Sequence, residues 1–501
     1  MANFKVSNAH QGTFVSVIPD KQIVRGSFDH AVNYLVDNTL DLSAFEQRYR
    51  NDKGGAPAYP PSVLLKIVLA AYSRGITSSR DIEDLCRENT VFMALSGFLT
   101  PDHSTIAAFV SGMPGDIEPL FARIILACDE LDLIGRSHFA IDGVKLPSNA
   151  SREWSGRTAD FEKKYDKLRH AIRFMLQRHH EEDAAAQVNQ DVRAQELKQI
   201  AKLGAVSKKI HHQLKTMEDK TGANGKVVKS NITDNDSAHM RTGNQGALQG
   251  YVGVAIADDQ HQVICSAMAT GDSEHSSFEP MIDQLEAHVD SLAESELSAD
   301  AGFHSHAAVD LCHQRGIDAY IADTGFRQRD PRFKDQAEKK PSHRQKKYFK
   351  ADEFRYDDAS NRCWCPAGKE MWLASDRYFK NGRWYAAFEG YLNDCKRCAV
   401  QSRCMRRPAT VRGRQVSVLK GREDNPPRPI DLMREKIDSR QGRLRYAKRI
   451  GTIEPVFAHI RSTLGLDRFS LRGRPKVNAQ WLLFCMVHNI TKIAYYGDYE
   501  S

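Results

Sequence analysis

HFAIDGVKL, residues 138–146, is the stretch on which the reading of the fold turns. Phe139 and Ile141 alternate with small or polar neighbours, and Asp142 follows at once. A period of two is the mark of a strand, here one that delivers Asp142 to its tip. Downstream, GYVGVAIADD (250–259) and QVICSAMATG (262–271) are two further β-rich runs joined by a polar turn, which predicts a hairpin. DSEHSSFEPMIDQLEAHVD (272–290) reads as a capped amphipathic helix, SELSADAGFHS (295–305) as a short strand ending at Asp300, HAAVDLCHQRG (306–316) as a helix closing on Gly316, and IDAYIAD (317–323) as a strand. Strands alternating with helices predict an α/β sheet, and the hairpin makes part of it antiparallel.

Upstream the texture is helical. Residues 1–60 carry few regular patterns and end in a turn-rich break, GGAPAYPP. After Pro60–Pro61, apolar residues at 63, 64, 67, 68, 71 and 72 form one helical face. Ser78–Ser79 is placed to cap RDIEDLCRE, and Asp102 or Ser104 to cap the helix in TPDHSTIAAFVSGM. Such a bundle suits a helix-turn-helix variant and suits equally a module for assembly. Residues 158–220 are long, polar and helical, with stripes at Tyr165, Leu168, Ile172, Met175 and Leu176 and at Leu203, Val206, Ile210, Leu214 and Met217. They read as an inserted helical hairpin, able to dimerise only if the stripe stays uncovered. The expected organisation is therefore a helical N-terminal domain (1–135), a first core segment (136–325, with the insertion at about 158–220), a basic Cys-rich insertion (326–430), and a helical C-terminal segment (431–501).

The chain has 501 residues, is 41% hydrophobic and 27% charged, and carries a net charge of +7. Apolar runs such as LLKIVLAA fall well short of the roughly 18 residues a membrane span needs. MANFKVSNAHQGTF has no apolar signal core, so an intracellular, cytoplasmic location is expected. Between Arg440 and Lys476 stand ten Lys or Arg and two acids, Glu454 and Asp467. That local excess is larger than the whole chain's, and such a stretch is the footprint of a nucleic-acid partner or, equally, a solvated face or a surface for an acidic protein.

Five of the ten cysteines fall between 363 and 404. Cys395-x2-Cys398 is a metal half-site, Cys404 follows six residues later, and Cys365, in a CPxG turn, or Cys363 supplies a fourth thiolate. Four thiolates make a closed tetrahedral zinc site, structural rather than catalytic. Asp142 and Asp300, both expected at the C-terminal edge of the sheet, repel each other unless a cation lies between them. Mg²⁺ takes a few carboxylate oxygens and completes its shell with water and phosphate oxygens.

FAIDGVKL, SADAGFHS and the series Tyr446, Arg449, Glu454, Arg461 together resemble the DDE transposases of bacterial insertion sequences, closest to the IS1182-like branch of the IS5/IS4 group. PPSVLLKIVLAAYSRGITSSRDIEDLCREN and PDHSTIAAF resemble the helical N-terminal domain of the same proteins, in the same order. The resemblance implies an RNase H-like mixed-sheet core in which Asp142, Asp300 and Glu454 bind two divalent ions, Mg²⁺ or Mn²⁺. It implies a DNA substrate made of terminal inverted repeats and a target, and a homodimer or larger assembly on the bacterial nucleoid. The family spaces its signature Tyr-x2-Arg-x3-Glu-x6-Lys. Here the Arg-to-Glu interval is x4 and the final Lys is Arg461. Tyr446, Lys448, Arg449 and Arg461 are the expected DNA-contacting residues. Ile453, Val456, Phe457 and Ile460 form one apolar face, so Glu454 is expected in the first turn of a buried helix capped by Thr452. The competing expectations are a DNA nuclease that does not join and a domesticated DNA-binding protein that does not cut.

Overall fold

The structure, a computed structural model, describes the chain except residues 1–15, 52–53, 185–189, 217–218, 223–224, 243–245, 290, 334–347, 422 and 500–501. The N-terminal stretch and Met217 thus lie outside the described residues. Two compact units are present, one built from residues 1–321 and 444–501, the other from 322–443.

The first unit is mixed α/β. Its sheet contains β1 (His138–Pro147), β2 (Ala238–Thr242), β3 (Gly246–Asp258), β4 (Ile264–Thr270), β5 (Glu296–Ala299) and β6 (Asp318–Ile321). β1 pairs antiparallel with β3, and β3 antiparallel with β4. On its other side β1 pairs parallel with β5, which pairs parallel with β6. The order is β4-β3-β1-β5-β6, with β2 extending β3 beyond the end of β4. The hairpin and both parallel strands follow the sequence reading. Asp142 does not sit at a strand tip. It is mid-strand, because β3 is long enough to pair with β1 through Pro147.

Among the described residues six helices longer than one turn precede the sheet: α1 (Phe28–Asn38), α2 (Pro61–Tyr72), α3 (Ser79–Glu88), α4 (Thr90–Leu95), α5 (His103–Ser111) and α6 (Ile117–Glu130). Ser78 accepts from the Asp81 amide and Asp102 from the amides of Ser104 and Thr105, so both expected caps form. α1 adds a regular helix to residues 1–60, which the sequence reads as carrying few regular patterns. Ser27 caps it, and Ala31, Val32, Leu35 and Val36 bury one face. α7 (Thr158–Ala184) and α8 (Gln190–Thr216) form the hairpin inserted after β1. Phe161, Ile210 and Ile232 make a small core at its base, packed with Tyr165, Leu168, Val206 and Leu214. The stripe is therefore covered there by its own two arms.

α9 (Glu274–His288) links β4 to β5, and α10 (His306–Gln314) links β5 to β6. α10 closes at Gly316, whose φ of +68° only glycine adopts without strain. Towards the C-terminus follow α11 (Arg440–Ala458), a π-helical turn at His459–Thr463, and α12 (Arg474–Tyr496). α12 is almost wholly buried against α6 and β4. It also satisfies the free edge of β4. Asn478 Oδ1 accepts from the Ala269 amide at 2.8 Å, and Asn489 bonds both the amide and the carbonyl of Ile264. Gln284 of α9 accepts from the Ala267 amide at 3.0 Å. An open edge strand is a hazard unless its polar groups are paired, and here helix side chains pair them.

The second unit has a five-stranded antiparallel sheet: β7 (Arg355–Asp357), β8 (Arg362–Trp364), β9 (Glu370–Lys380), β10 (Arg383–Gly390) and β11 (Gln415–Leu419), in the order β11-β10-β9-β8-β7. Asn381 and Gly382 turn the β9–β10 hairpin with φ of +51° and +74°, the conformation that an Asn-Gly hairpin turn requires. Its core is small: Phe354, Cys363, Met371, Ala386, Phe388 and Val416.

Candidate active site

The parallel pairing of β1 with β5 runs His138↔Glu296 through Ile141↔Ala299. One more step at the same offset sets Asp142 beside Asp300, on strands about 4.8 Å apart. Asp142 Oδ1 accepts from the Gly143 amide and Asp300 Oδ1 from the Gly302 amide, each at 2.8 Å. Burial raises the Asp142 carboxyl above its ordinary range. Asp300 pushes the same way, while Arg449 and the Gly143 amide oppose.

α11 supplies the cation. Arg449 Nη1 meets Asp142 Oδ2 at 2.5 Å, with the two side chains 11% and 20% exposed. Arg449 lies over the Tyr446 ring at 5.8 Å from its centre. Burial raises the Tyr446 hydroxyl, Arg449 opposes, and Asp300 and Asp142 add to the rise, so Tyr446 belongs to the same network. Lys448 is exposed and 4.0 Å from Glu296, which also pairs with Arg445. Arg461 is exposed.

Ile453, Val456, Phe457 and Ile460 are all buried, so the apolar face forms as the sequence predicts. Phe457 lies 6.4 Å from the Trp481 ring, and Trp481 donates to the Val254 carbonyl at 3.1 Å, which ties α11 through α12 to β3. The start of the helix is corrected. α11 begins at Arg440, so Glu454 is in its interior and Thr452 is no cap. The Thr452 hydroxyl instead donates to the Lys448 carbonyl at 3.1 Å. Pro455 is thus internal too. It has no N–H for the Gly451 carbonyl, and Gln262 Nε2 bonds that carbonyl at 3.2 Å.

Glu454 is exposed and lines a cleft with Gly143, Val144, Phe457 and Arg461. It stands beside the residues that follow Asp142, but not in the Asp142–Arg449 contact. Among the described residues no three His, Cys, Asp or Glu side chains converge closely enough to hold an ion. Asp142 and Asp300 are brought together, and Glu454 is in the adjoining cleft.

A further carboxylate escapes the sequence reading. Glu274 opens α9, and a Cβ placed on Gly302 would overlap its Oε2 and stand 2.9 Å from Asp300 Oδ1. A Cβ on Gly143 would be 3.4 Å from Glu274 Oε1. Burial raises the Glu274 carboxyl; Lys145 opposes, and Asp300 and Asp142 add to the rise. The available signal was Gly302, two residues behind Asp300, where a side chain would overlap this acid.

In the second unit, Cys365, Cys395, Cys398 and Cys404 line one small cavity. Burial raises the Cys404 thiol; Arg414 opposes, and the other three cysteines add to the rise. Gly390 and Gly413 leave room for Cys395 Sγ, where an added Cβ would stand at 2.9 and 3.2 Å. Cys363 is fully buried in the sheet's core instead.

The family described as transposase DDE domain matches residues 364–494, which include Glu454 and the four cysteines other than Cys363 that cluster before it. The family described as transposase domain (DUF772) matches residues 18–112, the helical bundle. No curated protein matches the chain. Among solved structures, a piggyBac transposase synaptic complex with hairpin DNA is similar at 11% identity and a TM-score of 0.31, over 96% of this chain and 75% of that one. A likeness of that size fixes no residue's role. The two matched families define the class: this chain is a DDE-type polynucleotidyl transferase. Within that class it is a DNA transposase.

Proposed function

We propose that this transposase cuts DNA at the ends of its element and joins the freed ends to target DNA, with Asp142, Asp300 and Glu454 as ligands of two Mg²⁺ or Mn²⁺ ions. The observation that carries the reading is the parallel register that sets Asp142 beside Asp300. The acidic oxygen donors there suit a hard cation. Bound ions would activate the attacking oxygen and stabilise the departing one at phosphorus. Hydrolysis leaves a 3′-hydroxyl and a 5′-phosphate. In the joining step that hydroxyl forms one phosphodiester as the target loses another, so no nucleotide cofactor is needed. The core is RNase H-like on this reading, supported by an antiparallel three-strand meander flanked by two parallel strands.

Arg449, Tyr446, Lys448 and Arg461 are assigned to the DNA backbone. Arg449 and Tyr446 already surround Asp142, and Arg461 shares the cleft of Glu454. Cys365, Cys395, Cys398 and Cys404 are assigned to a structural zinc ion, supported by their shared cavity and by the thiolate chemistry of the set. Cys365, not Cys363, is the fourth ligand on this reading. Assignment to the IS1182-like branch of bacterial elements, a nucleoid location and an assembly of two or more chains complete the proposal. No helix among the described residues is long and apolar enough to cross a membrane.

The test is a plasmid carrying the element's inverted repeats, assayed with Mg²⁺ or Mn²⁺ for nicks and for joined products. D142N, D300N and E454Q should each abolish both. Nicks without joined products would favour the simple nuclease, and cutting that survives all three substitutions would overturn the site. DNA affinity should fall steeply with salt, since phosphate neutralisation releases counterions.

A further inference from the structure

We propose that the stretch from Lys396 to Arg414, which connects β10 to β11 in the second unit, is a surface for the phosphate backbone of duplex DNA. The proposal rests on the reading that this transposase acts on DNA. It adds a second set of backbone contacts to Tyr446, Lys448, Arg449 and Arg461.

Three features point to it. The first is charge. KRCAVQSRCMRRPATVRGR, residues 396–414, holds seven Lys or Arg and no Asp or Glu, an excess equal to the whole chain's +7. Four thiolates around a zinc ion would offset only a minor part of it. The second is the lack of internal neutralisation. Elsewhere in this unit arginines meet carboxylates: Arg362 meets Glu370 at 2.5 Å, Arg377 meets Asp424 at 2.8 Å, and Arg329 meets Asp438 at 2.5 Å. Among the described residues none of the seven cations of 396–414 forms an ion pair, and all but Arg414 are exposed. The third is form. Arg406, Arg407, Arg412 and Arg414 line one groove, with Thr410 and Gln415 beside them. Its wall is fixed. Gly413 packs on the Gly390 carbonyl so closely that any Cβ would overlap it. The Gly390 amide donates to the Arg414 carbonyl at 2.9 Å, and the Arg414 guanidinium donates to the Phe349 carbonyl at 3.2 Å. Arg403 lies over the Phe349 ring and Arg406 over the Tyr348 ring, 4.8 and 6.0 Å from their centres. Aromatic faces hold these guanidinium groups without cancelling their charge.

The arrangement suits backbone contact rather than base reading. The helices here, Leu392–Lys396 and Gln401–Cys404, are each about one turn long. That is too short to lie along a major groove and offer several side chains to base edges. All the cations but Lys396 are Arg, whose planar fork meets a phosphate with two parallel bonds. Binding should therefore be indifferent to sequence and steeply dependent on salt.

The test is fluorescence anisotropy of a random-sequence duplex with the full-length chain, at several salt concentrations and without divalent ions. Each phosphate contact contributes about 0.9 to the slope of log affinity against log salt. R406Q/R407Q/R412Q should make that slope shallower by roughly 2.7 and lower affinity at about 0.1 M salt on the order of 10²-fold. R362Q/R377Q/R428Q removes the same charge from arginines already paired with acids, and should change the slope by less than one contact's worth. Equal losses in the two triple variants would be an effect of net charge alone and would overturn the proposal. An unchanged slope in R406Q/R407Q/R412Q overturns it too, and leaves the DNA-acting reading in place. A wild-type chain that binds no duplex overturns that reading as well. Loss of poly-glutamate binding without loss of DNA binding assigns the surface to an acidic protein instead. Circular dichroism identifies misfolding. If the triple variant does not fold, R406Q, R407Q and R412Q singly decide the matter, each making the slope shallower by about 0.9.

Discussion

Replacing Arg449 by Met is the sharpest probe of the site's electrostatics. The guanidinium meets Asp142 at 2.5 Å with both side chains largely buried. Breaking such a pair leaves one buried charge and costs about 3–5 kcal/mol. Asp142 keeps its bond from the Gly143 amide and some contact with solvent, so the low end, about 3 kcal/mol, is expected. The pH dependence fixes the sign. Burial already raises Asp142 with Arg449 present, and removing the cation raises it further. An acid with a raised folded-state pKa keeps its proton longer in the native chain than in the unfolded one. Stability then falls as pH climbs from the unfolded value of about 3.9 through the raised one. The R449M deficit should be small in acid and full at neutral pH.

Hydrogen exchange over residues 138–147, read by mass spectrometry in EDTA, reports the opening free energy of β1 itself. A loss of about 3 kcal/mol corresponds to roughly a hundredfold loss of protection. D142N in the R449M background removes the stranded charge and should restore most of it. Mg²⁺ should partly rescue R449M and leave D142N/R449M unchanged. Equal protection in R449M and the double variant, or a deficit independent of pH, would refute the reasoning.

The cysteine assignment predicts about one zinc per chain by elemental analysis. C395S/C398S should lose it, whereas C363A should keep it and only weaken the sheet core. His138 is buried with both ring nitrogens unpartnered, and burial pushes its imidazole down to about 4. The unfolded chain therefore binds the extra proton first, and up to roughly 3 kcal/mol is lost as pH falls from about 6.5 to 4. His138→Leu should flatten that acid limb in urea melts taken across the same range.

The elements of the core were legible because each carries its own period. β1, the β3–β4 hairpin, β5, α10 and β6 all follow local alternation or helical spacing. What local pattern misses is set by neighbours. Asp142 looked terminal because the alternation stops there, yet β3 pairs on to Pro147 and keeps the chain extended. Thr452 and Pro455 looked like a helix start because Ser/Thr caps and early prolines mark one. The start fails because Gln262, distant in sequence, satisfies the carbonyl that Pro455 leaves unbonded. Glu274 was invisible for the same reason, since nothing in its own helix shows that Gly302, on another element, makes room for it.

The extra residue between Arg449 and Glu454 now has a geometric meaning. With three intervening residues an arginine and a glutamate lie within about 40° of each other around a helix; with four they are about 140° apart. α11 presents Arg449 on the side of Tyr446, Ile453 and Val456, against Asp142, and Glu454 from its flank into the cleft by Gly143. The departure in spacing thus separates the cation that neutralises Asp142 from the acid expected to work with it. If ions are to bridge Asp142 and Glu454, Arg449 must give up its hold on Asp142, and DNA phosphate is a partner that a guanidinium accepts with two parallel bonds. Binding of DNA and filling of the ion site would then favour each other. Mn²⁺ affinity should rise when a terminal-repeat duplex is present, and R449M should lose that dependence on DNA.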